Sequence, residues 1–84
     1  MTDSRAAELA DTLETIVASL IANDRVPVRQ LTRLNSASWD SMFQLTLVLA
    51  IEQEFGVTLT DTDVLDLNSF SSALHILEEK LASR

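Results

Sequence analysis

Apolar residues recur at spacings of three and four along much of this chain, and this spacing is the strongest constraint on its fold. Between residues 6 and 22, the apolar residues form one stripe of a helix, and the acidic residues Glu8, Asp11 and Glu14 lie outside it. The pattern predicts an amphipathic first helix, whose buried stripe consists of Leu9, Leu13, Ile16, Val17, Leu20 and Ile21.

A second helix is predicted to begin near Asp40 and to run to Phe55. Aspartate commonly caps the N-terminus of a helix, and Gly56, the only glycine of the chain, suits the left-handed residue that often ends one. The segment is apolar nearly all round, so its periodicity alone does not indicate which face is buried.

A short third helix is predicted over residues 63–67, with Thr60 or Asp61 as its cap. The preceding residues 57–60 alternate like a strand, but the sequence offers no second strand to pair with them. They are therefore expected to form a loop.

A fourth helix over residues 70–81 is predicted to close the chain, with Asn68 or Ser69 as its cap. Its apolar stripe consists of Phe70, Leu74, Leu77 and Leu81.

Residues 23–39 are expected to form a long loop. The loop is expected to pack on the bundle through Val28, Leu31 and Leu34. The fold prediction is therefore all-α: one free-standing domain with a core of about residues 6–81, built as a small four-helix bundle with a long loop between helices 1 and 2 and a short third helix. Long loops in compact domains are often functional, and this one ends directly before Ser41.

Composition excludes several classes of function. Thirteen acidic and six basic residues give a formal net charge of −7, which disfavours nucleic acid and anionic membrane surfaces as partners. The chain has no cysteine, so it offers no thiol nucleophile. No basic and apolar leader opens it, and no segment is long enough to span a bilayer, so we expect a cytoplasmic protein without membrane insertion.

Ser41 is the main candidate for function. A hydroxyl in the first turn of a helix lies among unpaired backbone N–H groups and at the positive end of the helix dipole, so a phosphate bonded to it is well placed. The structural alternative is that Asp40 and Ser41 are only an N-cap and first-turn pair.

The order of these elements resembles the acyl carrier protein family and its peptidyl carrier relatives over residues 6–81. The resemblance includes the Asp40, Ser41 and Met42 motif, the helix end at residues 54–57, the acidic turn at Asp61 and the closing helix. It implies that Ser41 receives a covalent 4′-phosphopantetheine arm from coenzyme A, and that the protein is a monomeric, non-catalytic carrier of thioester-bound intermediates. The implied partners are a phosphopantetheinyl transferase, an acyl- or aminoacyl-loading enzyme, and the synthase, transferase or modifying enzymes of the pathway.

Within the motif, Asp40 has three possible roles: accepting a hydrogen bond, helping to place Mg²⁺ with the coenzyme A phosphates, or meeting a basic side chain of the modifying enzyme. An enzyme function ranks below a carrier function, because the sequence indicates no nucleophile and base pair, no metal cluster and no glycine-rich phosphate loop.

The resemblance also implies which face of the second helix meets partners. Leu47, Val48, Ile51 and Phe55 are expected in the core. The partner-facing residues are then Met42, Leu45, Thr46, Leu49, Glu52 and Gln53. The alternative for this face is extra core packing beneath the loop. Trp39 is expected to be a half-buried anchor, with a direct cargo or partner contact as the other possibility.

This helix departs from the family, because Phe43, Thr46 and Gln53 occupy positions where carriers of primary fatty acid synthesis often have acids. We therefore expect a dedicated carrier in a specialised pathway of polyketide, nonribosomal peptide or similar assembly. With Met42, the motif is also similar to that of D-alanyl carrier proteins. An aminoacyl cargo is therefore an alternative.

Two questions remain open at the level of sequence. Arg25, Arg29 and Arg33 are either solvated charges or contacts for the anionic arm or a partner's acids. The whole chain is either a covalent carrier or an unmodified interaction module that binds a partner through its second helix.

Overall fold

The computed structural model describes residues 4–21, 26–36 and 38–82, a small all-α globule with four α-helices. No β-strand occurs in this part of the chain, and none of its helices is long and apolar enough to cross a membrane. The helices are α1 (Ser4–Leu20), α2 (Ser41–Phe55), α3 (Asp61–Asp66) and α4 (Phe70–Ala82).

The core forms where the apolar stripes of α1, α2 and α4 meet. Leu13 and Val17 of α1 are fully buried, and so are Leu47 of α2 and Leu77 of α4. The predicted α1 stripe is confirmed, although the helix begins at Ser4 and ends at Leu20 rather than spanning residues 6–22; Ala22 lies outside the described residues.

The two ends of α2 agree with the sequence prediction. Asp40 is the N-cap, and Gly56 adopts the left-handed conformation with φ 65° and ψ 34°. Its N–H donates to the Glu52 carbonyl at 3.0 Å, which satisfies a terminal carbonyl of the helix. A side chain at this φ would strain the backbone, so glycine is the residue that ends the helix without cost.

The third helix begins two residues before its predicted start. Thr60 Oγ1 accepts from the Asp63 N–H at 3.1 Å, while Asp63 Oδ2 accepts from the Thr60 N–H at 2.9 Å. This reciprocal capping box starts the helix directly after Thr60, at Asp61.

The fourth helix has a similar cap, built from two serines. Ser69 Oγ accepts from the Ser72 N–H at 3.0 Å, and Ser72 Oγ accepts from the Ser69 N–H at 3.1 Å. Ser69, rather than Asn68, is therefore the cap, and α4 begins at Phe70 as predicted.

The loop before α2 contains a 3-10 turn, Val28–Gln30, and packs through Leu31, which is buried. The prediction for Leu34 is wrong, because its side chain is 98% exposed. Asn35 explains the difference: its side chain accepts from the Thr32 N–H, and its N–H donates to Thr32 Oγ1, so the chain turns and carries Leu34 outward.

Backbone contacts attach this loop to the junction between α3 and α4. The Arg33 N–H donates to the Asn68 carbonyl at 2.8 Å, and the Phe70 N–H donates to the Leu31 carbonyl at 2.9 Å. The loop is therefore fixed directly before it reaches α2.

An ion pair that sequence analysis did not predict joins α3 to α4. Lys80 Nζ lies 2.7 Å from Asp63 Oδ2, and both side chains are mostly buried. The hydrogen bond from Lys80, followed by that from the Thr60 N–H, lowers the pKa of the Asp63 carboxyl below its ordinary value.

We expect Asp63→Asn to remove this charge while keeping an oxygen acceptor for the Thr60 N–H. A carboxyl with a lowered pKa in the folded state stabilises the fold above its unfolded pKa, and this contribution is lost as the pH falls through the folded pKa. The free energy of unfolding in urea should therefore be higher for the wild type than for Asp63→Asn by under about 1 kcal/mol at neutral pH. This difference should shrink below about pH 4. A difference that stays constant from neutral pH to pH 3 would contradict the assignment.

Candidate functional site

Ser41 is the first residue of α2, and its side chain is exposed. No group in the described part of the chain hydrogen-bonds to its Oγ. The N–H groups of the first helical turn lack carbonyl partners within the helix and create a positive potential there. The hydroxyl is thus accessible and lies at the positive end of the helix dipole.

Asp40 fixes the start of the helix that presents Ser41. Its Oδ1 accepts from the Phe43 N–H at 2.8 Å, and its carbonyl accepts from the Gln44 N–H at 3.0 Å. These are the bonds of an ordinary N-cap, so the hydrogen-bonding role expected for Asp40 is present within the chain itself. The other carboxylate oxygen forms no hydrogen bond with the described residues.

Gln44 connects three elements around the site, and sequence analysis did not identify it. Its Oε1 accepts from Trp39 Nε1 at 3.3 Å, and its Nε2 donates to the Val64 carbonyl at 2.7 Å. One side chain thereby joins the end of the loop, α2 and α3. The available signal in the sequence was a single amide side chain within the largely apolar residues 42–51.

Trp39 is more deeply buried than predicted. Its side chain is only 3% exposed and packs edge-to-face on Phe43, with ring centroids 4.8 Å apart. The expected half-buried anchor is therefore a core residue, and its ring does not lie on the partner-facing surface. Phe43 likewise belongs to the core, so it does not replace an exposed acid on that surface.

A surface cavity of about 300 Å³ opens beside Ser41, between α2 and α3. Its lining combines apolar side chains, two polar groups and one cation: Leu45, Val64, Leu65, Ser41, Gln44 and Arg33. The opening therefore brings a cation and apolar side chains together beside Ser41.

Three of the predicted partner-facing residues form an exposed apolar face on α2. Met42, Leu45 and Leu49 are 72%, 61% and 65% exposed. The alternative of extra core packing beneath the loop is therefore wrong. Exposed leucines this close together are typical of interaction surfaces.

The polar residues expected on the same side of α2 divide into two groups. Thr46 and Gln53 are exposed. Glu52 is half-buried, and its Oε2 accepts from the Leu59 N–H at 2.9 Å. Glu52 therefore holds the link after α2 in place, a role that its position in the helix did not indicate.

The three arginines before α2 have different surroundings. Arg25 lies outside the described residues. Arg29 binds Glu14 at 2.8 Å and Asp11 at 2.5 Å, and these hydrogen bonds raise the pKa of its guanidinium above the ordinary value. Arg33 is exposed and forms no ion pair with the described residues.

Comparisons with protein-family models and with curated proteins give no significant match to this sequence. Among the described residues, no group of three histidine, aspartate and glutamate side chains is arranged to hold a metal ion. The geometry around Ser41 is therefore the basis for a functional assignment.

We expect Asp40→Ala to destabilise the protein by about 1 kcal/mol, because the Phe43 N–H loses its acceptor. Asp40→Asn should be close to wild type, since an amide oxygen also caps a helix. Urea unfolding followed by far-UV circular dichroism measures both. Equal destabilisation by the two substitutions would show that the charge of Asp40, rather than the cap, is what stabilises α2.

We expect the fluorescence of Trp39, the single tryptophan, to be blue-shifted and little quenched by iodide or acrylamide. Unfolding in urea should raise quenching to the level of free indole, which provides the internal reference. Strong quenching in the folded protein would contradict the buried position of this ring.

Proposed function

We propose that this protein is an acyl, aminoacyl or peptidyl carrier, with a 4′-phosphopantetheine arm attached to Ser41. The observation that carries the proposal is the exposed Ser41 hydroxyl at the capped start of a 15-residue helix, which forms no hydrogen bond with the described residues. The four-helix arrangement, with a long loop directly before that helix, further supports a bundle of acyl-carrier-protein type.

The residues around Ser41 fit such an arm. The hydroxyl is accessible to a phosphopantetheinyl transferase, and the start of α2 favours an attached phosphate. The adjacent cavity offers Leu45 and Leu65 to the apolar part of the arm. The Asp40 carboxylate oxygen that forms no hydrogen bond with the described residues can bind Mg²⁺ or a basic side chain in the complex with the transferase.

When bound, the arm supplies the thiol that holds the cargo as a thioester. The chain itself contributes an attachment point, a fixed helix end and a surface without cysteine, so no thiol of its own competes for the cargo. In this account the protein catalyses nothing; it is a covalent substrate of its loading and processing enzymes.

The apolar face of α2 supports a dedicated carrier. Residues 41–51 contain no charged side chain. A partner can therefore recognise this part of the helix by its shape and by apolar contacts, and not by acidic groups. A generic basic patch would recognise it weakly. We therefore favour a specialised polyketide, nonribosomal peptide or similar pathway, and a D-alanyl or other aminoacyl cargo remains compatible.

One observation favours a second function, that of an unmodified interaction module. Met42, Leu45 and Leu49 form an exposed apolar face on α2. Such a face can bind a partner without any covalent arm.

Intact-protein mass spectrometry separates the two functions. The protein is incubated with coenzyme A, Mg²⁺ and a broad-specificity phosphopantetheinyl transferase, beside Ser41→Ala and the matched control Ser38→Ala. We expect one phosphopantetheine-sized gain in the wild type and in Ser38→Ala, and none in Ser41→Ala. Ser38 is a suitable control because it is exposed and lies three residues before the proposed site.

A folded wild-type protein that gains no mass, also with the transferase from its own source, would contradict the covalent carrier. The interaction module would then be the better account of the apolar face.

A further inference from the structure

We propose that Arg33 binds the phosphodiester of the arm on Ser41 and so directs the arm into the cavity between α2 and α3. This inference rests on the proposed function and adds a residue outside the Asp40, Ser41 and Met42 motif.

Arg33 and Ser41 line the same cavity, although eight positions separate them in the sequence. Among the described residues of that lining, Arg33 is the only cation. Leu45, Val64 and Leu65 cover much of the remaining surface. A molecule that is attached to Ser41 through an anionic group and also carries apolar atoms therefore meets complementary groups in this cavity.

The charge environment of Arg33 differs from that of the other described basic side chains. Arg29 is engaged by Glu14 and Asp11, and Lys80 is engaged by Asp63. Arg33 forms no ion pair with any described residue, in a protein whose formal net charge is −7. Its guanidinium is thus available to an anion that is not part of the chain.

The backbone of Arg33 is well fixed even though its side chain is exposed. Its N–H donates to the Asn68 carbonyl at 2.8 Å, and the reciprocal bonds between Thr32 and Asn35 hold the turn in which it lies. The guanidinium therefore extends from a defined position, which lowers the entropy lost when it binds.

A guanidinium and a phosphodiester match each other in charge and geometry. The planar group can donate two parallel hydrogen bonds to two phosphate oxygens. The start of α2 adds the positive end of the helix dipole. The arm would then lie along Leu45 and Leu65 for part of the time instead of moving freely in solvent. A partner's carboxylate is the competing occupant of Arg33.

The test is phosphorus-31 NMR of the arm-loaded protein, after mass spectrometry has shown complete loading. The variants are Arg33→Gln and Arg33→Lys, with Arg29→Gln as the control, because Arg29 does not line the cavity. We expect Arg33→Gln to shift the phosphodiester signal and narrow it, Arg33→Lys to shift it less, and Arg29→Gln to leave it unchanged. Added salt should move the wild-type signal toward that of Arg33→Gln.

Each outcome has a distinct meaning. A phosphodiester signal identical in chemical shift and width in the wild type and Arg33→Gln would overturn the role of Arg33 while leaving the carrier function intact, and Arg33 would then be assigned to a partner's acids. Failure of the wild type to load would contradict the carrier function itself, and the inference about Arg33 would fall with it.

Discussion

Gln44 joins the three elements around Ser41 through a single side chain. Its amide group accepts from Trp39 and donates to the carbonyl of Val64, so the end of the loop, α2 and α3 are joined at one point. A half-buried amide with both ends satisfied specifies one arrangement of its neighbours, because each alternative leaves a polar group unpaired. This contact joins α2 to α3 at the cavity that Ser41 lines.

The second helix serves the core and the candidate site at once. Phe43, Leu47 and Ile51 anchor one side of it, while Met42 and Leu45 stay exposed on the other. The buried side fixes the orientation of the exposed side, so the exposed side is a surface that is already formed. This division explains how a helix that is apolar nearly all round remains at the surface of a small protein.

Sequence patterns predicted the features that depend on local chemistry. The limits of α2 followed from Asp40 and Gly56, whose capping and left-handed preferences are properties of single residues. The patterns did not predict the burial of Trp39 or the contact of Glu52 with Leu59, because both depend on distant parts of the chain meeting in the fold. The candidate site shows the same dependence on the fold. The motif indicated Ser41, but only the folded chain brings Arg33 to the same cavity.

The most direct test of the account is fragment-resolved mass spectrometry of the protein purified from its own cells, without added transferase. A phosphopantetheine group is expected on this protein, and fragment ions should place it on Ser41 alone. A protein that is unmodified in cells with an active transferase, or that is modified at another residue, would contradict the claim that this helix end exists to present Ser41.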